Sequence, residues 1–186
     1  TMVTPVDFHV PEFLLTQLIR PLDLDLLVDT LGNVPGPLLN FLFLSLSPFR
    51  QGGQKYVHLA DLADDGDALD TFMRMERWLH DCPDLAGSAF REFAIACFHE
   101  NRLVRGDFMI GGRHVDPGRL HMPLLNVYAT RDHLVPPRSS QALRRLYGGR
   151  DYSELAFDGG HIGLYVSRQA GRQVPPAIAD WLRSRD

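Results

Sequence analysis

Asp132, in R-D-H-L-V-P-P, and His161, in F-D-G-G-H-I-G-L-Y, stand 29 residues apart, each just beyond an apolar run that reads as a strand. An imidazole can take a proton from a nucleophile, and a carboxylate beside it fixes its tautomer and stabilises its cation. Groups that close successive strands of a parallel sheet meet at one rim, where such folds keep their reactive side chains. In one large class of these enzymes the order along the chain is nucleophile, acid, histidine. Here no G-x-S-x-G or G-x-C-x-G precedes Asp132, so the nucleophile has no counterpart. A plainer reading also stands, with Asp132 capping the following helix and His161 a polar turn residue. His133 could orient the site or bind substrate from beside Asp132, or it could be an ordinary helix-start or surface histidine.

The remaining ionisable groups narrow the chemistry. His9, His58, His80, His99, His114 and His121 form no H-E-x-x-H or comparable spacing, so no metal site is expected. Cys82 and Cys97 are too few for a disulfide framework and suit a reducing compartment. A formal charge of −4, with basic residues scattered, argues against a nucleic-acid partner. With 45% hydrophobic and 23% charged residues in 186, the chain can bury a core as one soluble domain. The most apolar stretch, Pro37 to Leu46, is half the roughly 20 residues that span a bilayer. It is expected to be a buried or lid helix. No secretory signal is visible from Thr1 onward.

The elements that must position Asp132 and His161 fall in two parts. From Leu124 to Ala129 and from Tyr152 to Phe157 the chain reads as strands. A helix from Ser139 to Tyr147 lies between them, ended by Gly148-Gly149, and a last helix opens at Pro175-Pro176 to bury Ala177, Ile178, Trp181 and Leu182. This β-α-β-α order predicts a parallel sheet covered by helices. Met2 to Thr4 reads as the end of another strand. Helices are expected at Leu22 to Leu31, stopped by Gly32-Asn33, after Pro35-Gly36-Pro37, and from Asp67 to His80. A further one begins near Asp84, with Phe90, Phe93, Ala94, Cys97 and Phe98 as its apolar stripe. Residues 61–67, rich in aspartate, read as a solvated turn with a cap. Gly111-Gly112 marks a short hairpin between 108–110 and 113–115.

Read in order, several segments resemble the C-terminal half of the class III polyhydroxyalkanoate synthase catalytic subunit: T-P-V-D-F (4–8), D-L-L-V-D-T-L-G-N-V-P-G (25–36), P-F-R-Q-G-G-Q-K-Y (48–56), R-M-E-R-W (74–78), D-C-P-D-L-A-G (81–87), D-H-L-V-P-P (132–137) and E-L-A-F-D-G-G-H-I-G-L-Y-V-S (154–167). The resemblance implies part of an α/β-hydrolase fold, with a parallel-sheet core over about 106–186 and an inserted, mainly helical cap over about 10–105. It also implies a Cys–His–Asp triad that needs no cofactor or metal. The family's acid falls on Asp132 and its histidine on His161, while its cysteine lies in a G-x-C-x-G box upstream of T-P-V-D-F. Neither Cys82 nor Cys97 sits in such an elbow.

The implied reaction transfers (R)-3-hydroxyacyl groups from CoA thioesters to a growing polyester. The implied setting is a cytoplasmic granule surface, with an accessory second synthase subunit and a dimer or higher oligomer. Two readings compete with polymerisation. One is a thioesterase or polyester depolymerase with a serine in the elbow, and the other is a truncated scaffold that binds a granule or partner through the apolar cap.

Overall fold

The computed structural model describes residues 1–46 and 66–185. The segment 48–56, His58 and most of the aspartate-rich turn at 61–67 lie outside the described residues. Two compact units emerge, one from Thr1–Arg20 together with the chain from Ile95 onward, the other from Pro21–Ala94.

The first unit is organised on strand β3 (Leu124–Ala129), which pairs in parallel with β4 (Tyr152–Phe157), Leu124 facing Tyr152 and Ala129 facing Phe157. The other edge of β3 receives Met2 through an isolated parallel bridge. Val3 donates its amide to the Val127 carbonyl and Val127 returns one to Thr1, both at 2.8 Å. The strand expected at Met2 to Thr4 is therefore only a bridge. Two further strands, β1 (Met109–Ile110) and β2 (Arg113–His114), form the expected hairpin. Its turn places Gly111 at φ +54° and Gly112 at +75°, angles that disfavour any side chain.

Alternation along β3 sorts its side chains to two faces. Val127 and Ala129 join Val3, Phe157, Leu164, Ala170 and Val174 in one buried cluster, with Leu125 and Ile178 packed against it. Leu124, on the opposite face, packs with Val6, Ala142 and Leu143. Both faces of β3 are thus covered, which explains its nearly unbroken apolar run from 124 to 129, whereas β4 leaves Glu154 and Ala156 exposed on one face. Each fully buried Val, Leu or Phe contributes about 1.5–3 kcal/mol, so this double layer accounts for much of the local stability.

Helices cover the strands, though not where periodicity alone puts them. The stretch expected as one helix from Ser139 to Tyr147 is two short ones, α7 (Pro137–Gln141) and α8 (Leu143–Leu146), broken at Ala142. Fully buried Asn126 on β3 donates to the Ser140 carbonyl at 3.0 Å, and so competes for an acceptor that a continuous helix would use. On the other face lie α9 (Gly163–Val166) and α10 (Arg168–Arg183). The last helix opens seven residues before the prolines, because Ser167 caps it by accepting from the Ala170 amide at 3.0 Å. Pro175 and Pro176 lie inside it on an exposed side. The carbonyls that lose partners there, on Gly171 and Arg172, belong to exposed residues that water can reach. Burial consequently centres on Ala170 and Val174, while Leu182 is exposed.

Two segments complete this unit. Helix α1 (Leu14–Ile19) follows a trio of rings in which Phe8 stacks on Phe13 at 5.5 Å and meets Phe98 edge-on at 4.9 Å. Ala94–His99 is a π-helix, with the Glu100 amide donating to the Ile95 carbonyl, and α6 (Arg102–Arg105) follows. The wider π turn re-phases the expected stripe. Phe90, Ala94, Cys97 and Phe98 are buried as predicted and Ala96 joins them, but Phe93 is 46% exposed.

The second unit holds α2 (Leu24–Leu31), α3 (Gly36–Ser45), α4 (Gly66–His80) and α5 (Gly87–Phe93). Asp23 caps α2 by accepting from the Leu26 amide, and the helix ends at Gly32 as its sequence predicts. An antiparallel bridge between Val34 and Leu85 ties the two loops that follow α2 and precede α5. Arg91 reaches back from α5 to Asp25 and Asp29 on α2. Helix α3 is not a wholly buried helix: Gly36 is its buried residue, and Phe41 is 68% exposed.

Asn101 sits at φ +51°, and its side chain joins distant segments of the first unit. Its Oδ1 accepts from the Phe8 amide at 3.0 Å and its Nδ2 donates to Asp7 at 2.9 Å. Asn101→Ala should lower stability by about 2–3 kcal/mol, because it leaves a buried amide unpaired. Asn101→Gly, which relaxes the backbone angle but not that loss, should remain clearly destabilised in the same urea titration.

Candidate active site

The turn after β3 is built around the Asp132 carboxylate, whose side chain is fully buried. Its Oδ1 accepts from the amides of Leu134 and Val135, both at 2.9 Å. Its Oδ2 lies 2.8 Å from Nδ1 of His161, on the loop after β4. Asp132 therefore satisfies its own turn rather than capping the following helix as the plainer reading expects, and it spends its second oxygen on His161. The helix that follows opens at Pro137 and takes no side-chain cap.

With Nδ1 committed as donor to a carboxylate, the neutral His161 ring carries its lone pair on Nε2. The ring is 24% exposed. Tyr165 meets it edge-on, with centroids 6.4 Å apart. Gly159 is required two residues upstream because a Cβ there would run into the ring of buried Phe157. Backbone bonds lace the two loops together, Thr130 donating to Phe157 at 2.8 Å and Arg131 to Gly159 at 2.9 Å. His133 follows Asp132 on the same turn and is half-buried.

The structure thus brings Asp132 and His161 together, with His133 their neighbour in the chain. The other described histidines have ring nitrogens against backbone carbonyls, His9 on Phe98, His80 on Glu76, His99 on Ile19, His114 on Gly106 and His121 on Gly148. Among the described residues, no cluster of three or more His, Cys, Asp or Glu side chains could hold a metal ion. Sequence reasoning did not find Arg131 and Asp158, which join the two loops from outside. Their signal was adjacency to the two candidate residues, a weak one.

Cys97 is buried, and desolvation pushes its thiol up to about 11. Its thiolate is then about a thousandth of the population at pH 8, too little for a nucleophile. Cys82 belongs to the other unit and is half-buried.

A buried acid and a histidine closing neighbouring parallel strands, with helices on both faces, define part of an α/β-hydrolase core. Curated proteins bearing the name poly(3-hydroxyalkanoate) polymerase subunit PhaC match the chain from end to end. Those of Allochromatium vinosum and Thiocystis violacea are 51% and 50% identical over 185 residues, which is 100% of this chain and 52% of each relative. That of Synechocystis is 47% identical over 191 residues, 99% of this chain and 50% of the relative. The chain is therefore a homologue of the PhaC polymerase subunits, and it spans about half the length of the curated relatives it matches. No family model matches the chain. Among solved structures, the putative non-heme bromoperoxidase BpoC of Mycobacterium tuberculosis aligns with a TM-score of 0.45 at 15% identity, over 100% of this chain and 57% of that one.

The thiol geometry makes a direct prediction for iodoacetamide at pH 8. Cys82 should be alkylated first and Cys97 should stay unmodified until the protein is denatured, as peptide mass spectrometry would read. Equal native-state labelling would contradict the burial of Cys97.

Proposed function

We propose that this chain supplies the acid and base of a polyester polymerase, which moves (R)-3-hydroxyacyl groups from CoA thioesters onto a growing polyhydroxyalkanoate. The carrying observation is the 2.8 Å bond between His161 Nδ1 and the buried Asp132, in a chain 47–51% identical to polymerase subunits. In this reading a cysteine in a G-x-C-x-G elbow, within the half of the relatives' length that this chain does not span, is the nucleophile.

Nε2 of His161 takes the thiol proton, and the thiolate attacks the thioester carbonyl. The bond to CoA sulfur breaks, the imidazolium returns its proton to the departing CoA, and an acyl-enzyme remains. The 3-hydroxyl of that acyl group then attacks the carbonyl of a second acyl thioester; the ester forms as that C–S bond breaks, and the hydroxyl proton passes through the same imidazole to the departing sulfur, leaving a free thiol. Asp132 keeps the imidazole in the tautomer with Nε2 unprotonated and offsets its positive charge. His133, on the same turn, supports the orientation of the pair. The inserted helical part, about 10–105 in the sequence reading, serves as a cap that keeps water from the thioester. No cofactor or metal takes part. The enzyme works at the surface of cytoplasmic polyester granules, with an accessory subunit and as a dimer or higher oligomer. Among the described residues no helix is long and apolar enough to cross a membrane.

The runner-up is a thioesterase or depolymerase with a serine in the elbow. The coding sequence ahead of Thr1 separates the two readings, G-x-C-x-G supporting polymerisation and G-x-S-x-G hydrolysis.

In the full-length polymerase, His161→Ala should abolish CoA release from (R)-3-hydroxybutyryl-CoA. Asp132→Asn should lower it by up to about 10⁴-fold. The reason is geometric: two amides hold the oxygen at Oδ1, so the new NH₂ group faces Nδ1 and forces the proton onto Nε2. Undiminished CoA release from the His161 variant would sink the assignment.

A further inference from the structure

The loop that carries His161 is Asp158-Gly159-Gly160-His161, and two consecutive glycines give its backbone more freedom than any other pair would. A 2.8 Å contact with Asp132 from such a loop requires something to hold it. The residues next to the pair do so. Arg131, which precedes Asp132, donates its amide to the Gly159 carbonyl at 2.9 Å. Its guanidinium reaches farther along the same loop, with Nη2 donating to the Asp158 carbonyl at 3.2 Å and Nε 3.0 Å from Asp158 Oδ1. Thr130 adds its hydroxyl to that oxygen at 3.4 Å.

We infer that Arg131 and Asp158 form a clamp across the two loops, and that Arg131 is a positioning residue that sets the approach of His161 to Asp132. This inference rests on the acid–base reading of that pair. The fork of a guanidinium suits the task because two of its N–H groups engage two acceptors of one residue, one on the backbone and one on the side chain. The side chains of Arg131 and Asp158 are 68% and 73% exposed. A pair so open to water adds little to global stability. Its effect therefore falls on geometry, where a displacement near 1 Å can cost about a hundredfold in rate.

The clamp predicts a graded pattern. Arg131→Ala removes both guanidinium contacts, whereas Asp158→Ala leaves the Asp158 carbonyl in place to accept from Nη2, so the first variant should be the more impaired. Arg131→Lys, a point charge with one contact to offer, should recover part of the loss.

The test uses the full-length polymerase, with CoA release from (R)-3-hydroxybutyryl-CoA, thermal unfolding, and the NMR signal of the His161 Nδ1 proton. Arg131→Ala is expected to lower kcat by about ten- to a hundredfold, with KM and melting temperature nearly unchanged and the Nδ1 proton signal broadened by exchange. Arg131→Lys should fall between that variant and the parent in both rate and line width. Wild-type kcat together with a sharp Nδ1 signal in Arg131→Ala overturns the clamp. His161→Ala is run alongside: if it retains CoA release the acid–base reading falls, and the clamp is then decided by the line width alone.

Discussion

A carboxylate withdrawn wholly from water is costly unless its oxygens are met by donors, and Asp132 meets that demand with three. Two are amides of its own turn and one is the ring of His161. The amides make the turn and the carboxylate mutually dependent, for neither is satisfied without the other. That leaves a single oxygen pointing across to the neighbouring loop, in one direction. The location of His161, the glycines before it and the bonds between the loops all answer to that direction.

The sheet provides the fixed distance. Parallel register from Leu124–Tyr152 through Ala129–Phe157 brings the two strands to an end side by side, so both loops begin at the same height. Alternation on β4, with Leu155 and Phe157 turned inward and Glu154 and Ala156 exposed, resists a slip of that register, which would turn the inward side chains outward. Asn126 is the one wholly buried polar side chain on β3. It bonds Thr1, Ser140 and Tyr152, linking the bridge strand, the helical layer and β4 at one residue. The pattern of apolar side chains and the polar junction both allow only one alignment.

Much of this was legible beforehand. Strands β3 and β4 appear with the expected ends, because a short apolar run bounded by turn residues has few alternatives. The Gly-Gly hairpin is also as expected, since its backbone angles dictate its residues. The failures have more than one cause, a contact remote in sequence in the first and a local cap or turn in the other two. Asn126 divides a helix by taking a carbonyl from it, and Ser167 starts another well ahead of its prolines. Ala94 begins a π turn that shifts the phase of a stripe whose members were otherwise well chosen. For the site, residue type and spacing were enough to pair Asp132 with His161. Arg131 and Asp158 could not be singled out, because a charged residue on a loop is usually solvated and only distance reveals its partner.

The chain leaves the first unit after Arg20 and rejoins it at Ile95, and the two crossings are tied to each other, His99 Nε2 standing 3.3 Å from the Ile19 carbonyl. Everything between them is, for the sheet, a closed excursion whose ends already meet. Among the described residues, none of the bonds that align β3 with β4, or that join Asp132 to His161, comes from that excursion. The meeting of acid and histidine is thus set downstream of the chain's detour, by two short strands and the loops that follow them, where a single inserted residue would disturb the chemistry.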